Sequence, residues 1–271
     1  MRERYIGSEE IAITLFASLK LGRPLLVEGA AGVGKTEIAK VLSRALNRPL
    51  VRLQCHEGID EAKSLYEWNY QKQLLAIQGG KEDGPSLFSD TYLLERPLLK
   101  SIRSDEPVVL LIDEIDKSDE EFEAFLLEIL SEMQVTIPEL GTITATTTPF
   151  VVLTSNDTRP LSEALKRRCA YLYLQYPDPE KEVSIILANM PQADVELANQ
   201  VTKAVAYLRQ SERIVKKPSI AETLDWMGAL EALGHSRLNP ENARQTLGFV
   251  LKTKDDMDEI LGDDDFDQCL S

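Results

Sequence analysis

Gly29-Ala30-Ala31-Gly32-Val33-Gly34-Lys35-Thr36 spells G-x-x-x-x-G-K-T, a spacing that suits a cradle for nucleotide phosphates. Glycines let the backbone curl so that its N–H groups converge on one anion, and a following helix adds the partial positive charge of its N-terminus. Lys35 would pair with the β- and γ-phosphate oxygens, and Thr36 would place its hydroxyl on Mg²⁺. The plain alternative is a glycine-rich turn capping an ordinary helix. The flanks favour the cradle: Pro24-Leu25-Leu26-Val27 reads as a buried strand before it, and residues 37–46 carry apolar side chains at helical spacing after it.

Other residues complete the chemistry. Val108-Val109-Leu110-Leu111-Ile112-Asp113-Glu114 is an apolar run that ends in two acids. Asp113 would hold Mg²⁺, usually through water, and Glu114 would orient and deprotonate a water that attacks the γ-phosphate. Val151-Val152-Leu153-Thr154-Ser155-Asn156 is a second apolar run with a polar end. On a parallel neighbour of the Asp113 strand, the Asn156 amide would stand beside the γ-phosphate without adding negative charge. Leu165-Lys166-Arg167-Arg168-Cys169 ends a helical stretch, where basic residues either complement the helix C-terminus or reach a phosphate in a neighbouring subunit. Arg168 is the preferred residue for that reach and Arg167 the alternative.

Short apolar runs at 24–27, 50–53, 108–112, 150–153 and 171–174 have the rhythm of a doubly wound parallel sheet. Residues 8–20 read as an amphipathic helix with Ser8 as N-cap and Gly22 past its end, and 118–134 read as another, with Phe122, Phe125, Leu126, Ile129, Leu130 and Met133 on one face. Residues 56–103 are too long for a plain crossover and should carry elements of their own. The aromatics of Leu65-Tyr66-Glu67-Trp68-Asn69-Tyr70 concentrate there. Residues 135–149, with β-formers from Thr142 to Thr148 after Pro138 and Gly141, predict a hairpin. Pro177-Asp178-Pro179 marks a boundary, after which 180–188, 195–209, 220–233 and 242–253 give a small unit of about four helices.

Bulk properties bound the rest. The 271 residues carry a net charge of −15, yet eight acids fall within 255–267, so the remainder is only mildly acidic. That segment reads as a solvated, partly disordered end. No basic stripe with interleaved aromatics is visible, which argues against free nucleic acid. Three cysteines without a CxxC pair and two histidines leave no zinc set and no disulfide framework. Met1-Arg2-Glu3-Arg4-Tyr5 lacks the apolar core of a signal peptide, and no run is long enough to span a membrane, so the expectation is a cytoplasmic protein.

Taken in this order, the phosphate loop, Asp-Glu strand, Ser-Asn strand end, paired arginines and helical unit resemble an AAA+ ATPase over nearly the whole chain. The Glu28-Gly29 start of the loop, the insert and the hairpin before Asn156 resemble the MoxR branch. Within it, Leu65 to Tyr70, Ile137-Pro138-Glu139-Leu140-Gly141-Thr142 and Ala221-Glu222-Thr223-Leu224-Asp225-Trp226 look like CoxD-type members, named for carbon monoxide dehydrogenase maturation. The resemblance implies an α/β P-loop fold: a five-stranded parallel sheet of order 5-1-4-3-2 in residues 1–176, a helical lid in 177–254 and an acidic tail in 255–271. It further implies ATP and Mg as cofactors and a homo-oligomeric ring, a hexamer. A protein client and a von Willebrand factor A domain partner are implied as well. By the same resemblance Trp68, Asn69 and Tyr70 face a pore or client, with the 142–147 hairpin nearby; simple packing of Trp68 and Tyr70 is the alternative. One departure stands out. Lids of this family present an arginine from the start of their third helix, where this chain has Lys216-Lys217-Pro218-Ser219.

The leading function is an ATP-driven remodelling or maturation chaperone. A nucleic-acid-associated ATPase of clamp-loader or restriction-motor type would show DNA-stimulated hydrolysis. A slow nucleotide-dependent assembly switch would keep its output when hydrolysis is abolished.

Overall fold

The computed structural model describes residues 6–78 and 86–270. Met1 to Tyr5, part of the insert and Ser271 lie outside the described residues. The chain forms two units: an α/β unit of Ser8–Gly29 with Lys35–Tyr173, and a mainly helical unit of residues 174–270 to which Ile6, Gly7 and Ala30–Gly34 are assigned.

In the α/β unit, α1 (Glu9–Leu21) starts where Ser8 accepts the Ile11 N–H and stops at Gly22, whose φ of 62° lets the last carbonyls be satisfied. Strand β1 (Leu25–Gly29) is buried along its whole length, as a central parallel strand must be. Helix α2 (Lys35–Ala45) leads to β2 (Leu50–Gln54), whose alternating burial marks a sheet edge. The insert has elements of its own: α3 (Glu61–Ser64), β3 (Tyr66–Trp68), α4 (Tyr70–Gln78), a 3₁₀ turn at Asp90–Tyr92, β4 (Leu93–Glu95) and α5 (Pro97–Ile102). Strands β3 and β4 pair antiparallel, and Trp68 is 7% exposed against the main core while Tyr70 is 61% exposed. Packing therefore accounts for Trp68 and not for Tyr70.

Strand β5 (Val109–Asp113) ends in the first of the two acids, and α6 (Glu120–Glu132) follows with Asp119 as its N-cap. The expected hairpin is β6 (Gln134–Ile137) with β7 (Gly141–Thr144). It is shorter than 135–149, because its ladder closes where the Ala145 N–H donates to Met133 O at 2.8 Å. Next come β8 (Phe150–Ser155), α7 (Glu163–Arg168) and β9 (Ala170–Leu174).

The main sheet runs β2-β5-β8-β1-β9. Counting only its own strands, this is 5-1-4-3-2 read from the β9 edge; the β3-β4 ribbon of the insert and the expected β6-β7 hairpin form two further small sheets. Registers pair Gln54 with Asp113, Ile112 with Leu153 and Glu28 with Ser155, all in parallel strands. The C-terminal ends of β2, β5, β8 and β1 thus share one edge, where a doubly wound sheet binds ligands.

The helical unit contains α8 (Pro179–Asn189), α9 (Val195–Gln210), α10 (Ile220–Ala232), α11 (Pro240–Val250), α12 (Lys254–Leu261) and α13 (Asp264–Cys269). Trp226 is fully buried, and its Nε1–H donates to Thr246 Oγ1 at 2.7 Å, so the largest side chain keeps its polar atom satisfied. Here the expectation of a solvated acidic end is corrected. Ile260, Phe266 and Leu270 enter the helical core, Asp263 accepts the Tyr207 hydroxyl, and Asp256 accepts the hydroxyl of Thr253, the N-cap of α12. Most of the remaining acids lie on the solvent side of an amphipathic pair of helices, and apolar burial outweighs their mutual repulsion. No described helix is long and apolar enough to cross a membrane.

Candidate nucleotide-phosphate site

Residues 29–36 bridge β1 and α2. Gly32 and Gly34 have φ of 75° and 95°, in the region that suits glycine and turns consecutive amides to one side. Lys35 is 6% exposed, and its Nζ donates to Gly29 O at 2.7 Å. Burial pulls its pKa down, against the opposing pull of Asp116, Asp113 and Glu114. Ala30, Ala31 and Val33 fill the loop between the glycines.

Asp113 is the hub of the site. Its Oδ1 accepts from Thr36 Oγ1 at 3.1 Å and from Thr154 Oγ1 at 2.5 Å, while Oδ2 accepts from Arg52 Nη2 at 2.5 Å and Nε at 3.1 Å. The residue is 2% exposed, and both carboxylate oxygens are spent on donors. One hydroxyl and one carboxylate, both hard oxygen ligands from facing elements, fit Mg²⁺, which keeps its other positions for water and phosphate.

Glu114 follows with φ 57° and ψ 49°, a left-handed conformation that turns its side chain out of the strand direction. Its N–H donates to Thr154 Oγ1 at 2.9 Å, so one hydroxyl holds both acids. Its carboxylate takes Gln54 Nε2 at 2.8 Å and Lys117 Nζ at 2.7 Å, and Asn156 Nδ2 lies 3.5 Å from the other oxygen. The amide of Asn156 therefore stands beside Glu114, as parallel β5 and β8 require. The Asn156 loop is pinned by Asp116, whose Oδ2 accepts Thr158 N–H at 3.1 Å and Thr158 Oγ1 at 2.6 Å. Burial would raise the Asp116 carboxyl, but these hydrogen bonds prevail and hold it below the ordinary carboxylate range.

The sequence reading missed Arg52, Gln54, Thr154, Lys117 and Asp116. A signal for the first two existed: in Leu50-Val51-Arg52-Leu53-Gln54 the polar residues alternate, and alternation puts both on one sheet face.

The arginines of α7 lie apart from this cluster within the unit. Arg168 Nη1 donates to Leu127 O, a carbonyl within α6, at 3.1 Å, and the Arg167 side chain is 82% exposed with only a 4.0 Å approach to Glu163. In the helical unit, the Lys216 N–H donates to Asp256 and the Lys217 ammonium to Ser211 O. Arg209 is committed to Glu182 through Nη1 at 2.6 Å and Nη2 at 2.9 Å, with its Nε on Pro218 O.

Residues 24–169 match the family described as AAA domain (dynein-related subfamily). Curated relatives include an uncharacterized protein of Staphylococcus haemolyticus, 27% identical over 210 residues that cover 75% of each chain. The denitrification regulatory protein NirQ of Stutzerimonas stutzeri is 25% identical over 199 residues, covering 71% of this chain and 66% of that one. Among solved structures, a RuvB variant from Thermotoga maritima superposes with a TM-score of 0.56 at 20% identity, covering 93% of this chain and 73% of that one, a likeness of fold.

Proposed function

Because the chain belongs to the AAA domain family, dynein-related subfamily, we propose that it is a magnesium-dependent ATPase whose turnover drives a change in another protein. The observation that carries this reading is the convergence of Thr36, Asp113, Glu114 and Asn156 on the edge of the sheet where the phosphate loop begins. Loop amides and Lys35 bind the phosphates. Thr36 and Asp113 hold Mg²⁺, which when bound neutralises charge on the phosphate oxygens. Glu114 takes the proton of the attacking water, and the Asn156 amide orients that water or the γ-phosphate.

Replacement of Glu114 by Gln tests it. The side chain keeps its size and loses its basicity, so ATP hydrolysis should fall by about 10²-fold or more while binding of a fluorescent ATP analogue is retained. Hydrolysis at the parent rate would remove Glu114 from the mechanism.

Completion of the site by a neighbouring subunit is part of the proposal, since AAA+ proteins commonly assemble as rings, here as a homo-hexamer. Arg167 supplies the cation that reaches across, because Arg168 is occupied by the α6 carbonyl. The role on a client is that of a remodelling or maturation chaperone of MoxR type, with a von Willebrand factor A domain partner and a metal centre as its object. Exposed Tyr70, Leu74, Leu75 and Ile77 on α4 support contact with a polypeptide, and the regulatory role in the name of the Stutzerimonas relative accords with action on a partner.

A further inference from the structure

Two stretches of this chain repeat one local design. Ser18-Leu19-Lys20-Leu21-Gly22-Arg23-Pro24 ends α1, and Ser43-Arg44-Ala45-Leu46-Asn47-Arg48-Pro49 ends α2. In each, a left-handed residue (Gly22 at φ 62°, Asn47 at φ 50°) reverses the chain. The N–H of each following arginine donates to the serine carbonyl, and each serine hydroxyl donates to the arginine carbonyl at 2.7 and 2.6 Å. The prolines then enter β1 and β2. Arg23 and Arg48 are thereby delivered to the same sheet edge, the one at which the parallel strands begin.

Both line one pocket of about 370 Å³, together with Lys20 and the apolar Pro24, Met133 and Phe150. Every other described arginine of the α/β unit has a carboxylate or carbonyl partner for its side chain, Arg167 only a distant one at 4.0 Å; Arg23 and Arg48 have none among the described residues, nor has Lys20 a carboxylate. Three cations without a carboxylate are notable in a chain of net charge −15. The backbone N–H groups of Gly22, Arg23, Asn47 and Arg48 are already bonded within the caps. The pocket therefore offers charged side chains on apolar walls and no nest of amides for a phosphate, which favours an acidic protein segment.

We infer that this segment is the solvent face of α12 and α13 in a second copy of the chain. Asp255, Asp258, Asp264 and Asp265 are exposed there without an ion pair among the described residues, around Leu261, which is 46% exposed. Pocket and segment are different surfaces, so the contact is head-to-tail and closes a ring or extends a chain. It deepens the ring assembly proposed above and rests on it.

A charge swap tests the contact by sedimentation velocity with ATP at low salt, using circular dichroism and ATP binding as controls for folding. R23E/R48E and D258K/D264K should each weaken assembly at least about tenfold, and an equimolar mixture of the two should assemble again, because each acidic surface then meets a basic one. A parent chain that stays monomeric overturns the ring reading and this contact with it. If the parent assembles and R23E/R48E assembles equally well, or the folded variants fail to rescue one another, only this contact is overturned. Oligonucleotide binding lost in R23E/R48E at unchanged assembly also overturns it, in favour of a nucleic-acid surface.

Discussion

Arg52 grips Asp113 through two nitrogens, Nη2 at 2.5 Å and Nε at 3.1 Å from the same oxygen, Oδ2. Asp113 is buried, whereas the Arg52 side chain is 51% exposed. The guanidinium thus occupies the carboxylate oxygen that a cation would draw upon.

Removing that competitor should tighten metal binding. In Arg52→Ala, the magnesium concentration that half-saturates ATP-analogue binding should fall by roughly 2- to 10-fold, a modest effect because the pair is partly solvated. An unchanged or higher magnesium requirement would mean that Arg52 supports the metal site instead of competing for it.

Thr154→Val keeps shape and deletes the hydroxyl that joins Asp113 Oδ1 to the Glu114 N–H. That N–H then lacks its acceptor and a left-handed backbone its anchor. Urea denaturation should show a loss of about 1–3 kcal/mol, with kcat reduced more than the ATP affinity.

The two arginines of α7 should separate by readout. Arg167→Ala should lower ATPase activity by about 10²-fold or more at concentrations where the chain assembles, and leave the melting temperature alone. Arg168→Ala should cost about 0.5–1.5 kcal/mol of stability through the lost bond to Leu127 O. The opposite pattern would restore Arg168 as the residue that reaches the neighbour.

Asp256 makes the helical unit sensitive to acid. Burial would raise its carboxyl, but the Thr253 hydroxyl and the Val215 and Lys216 N–H groups prevail and hold it below its ordinary 3.8. A lowered folded-state pKa contributes stability above the unfolded value, and that contribution is lost as pH falls through the folded one. Asp256→Asn should therefore lower the melting temperature at pH 7, with the gap to the parent closing below about pH 4. A gap that persists in full under strong acid would assign the effect to packing.

What depends on near neighbours along the chain was legible in the residues alone. Residues 29–36 need only their own glycines, a preceding apolar run and a following helix, and the same holds for the strand that ends in Asp113 and Glu114. The helix cap at Ser8 and the hairpin around Gly141 are local in the same sense. Features that depend on pairing across large separations emerge only in the folded chain. Arg52 and Gln54 belong to the site because β2 lies beside β5 in a register that sets Gln54 against Asp113, with the whole insert between them in the chain. Arg168 meets the Leu127 carbonyl because α7 packs beside α6. The acidic end is ordered because Phe266 finds the helical core, a gain that composition alone does not reveal. Hydrogen bonding and burial act through space, so a residue's charge and type are legible in the sequence while its partner is not.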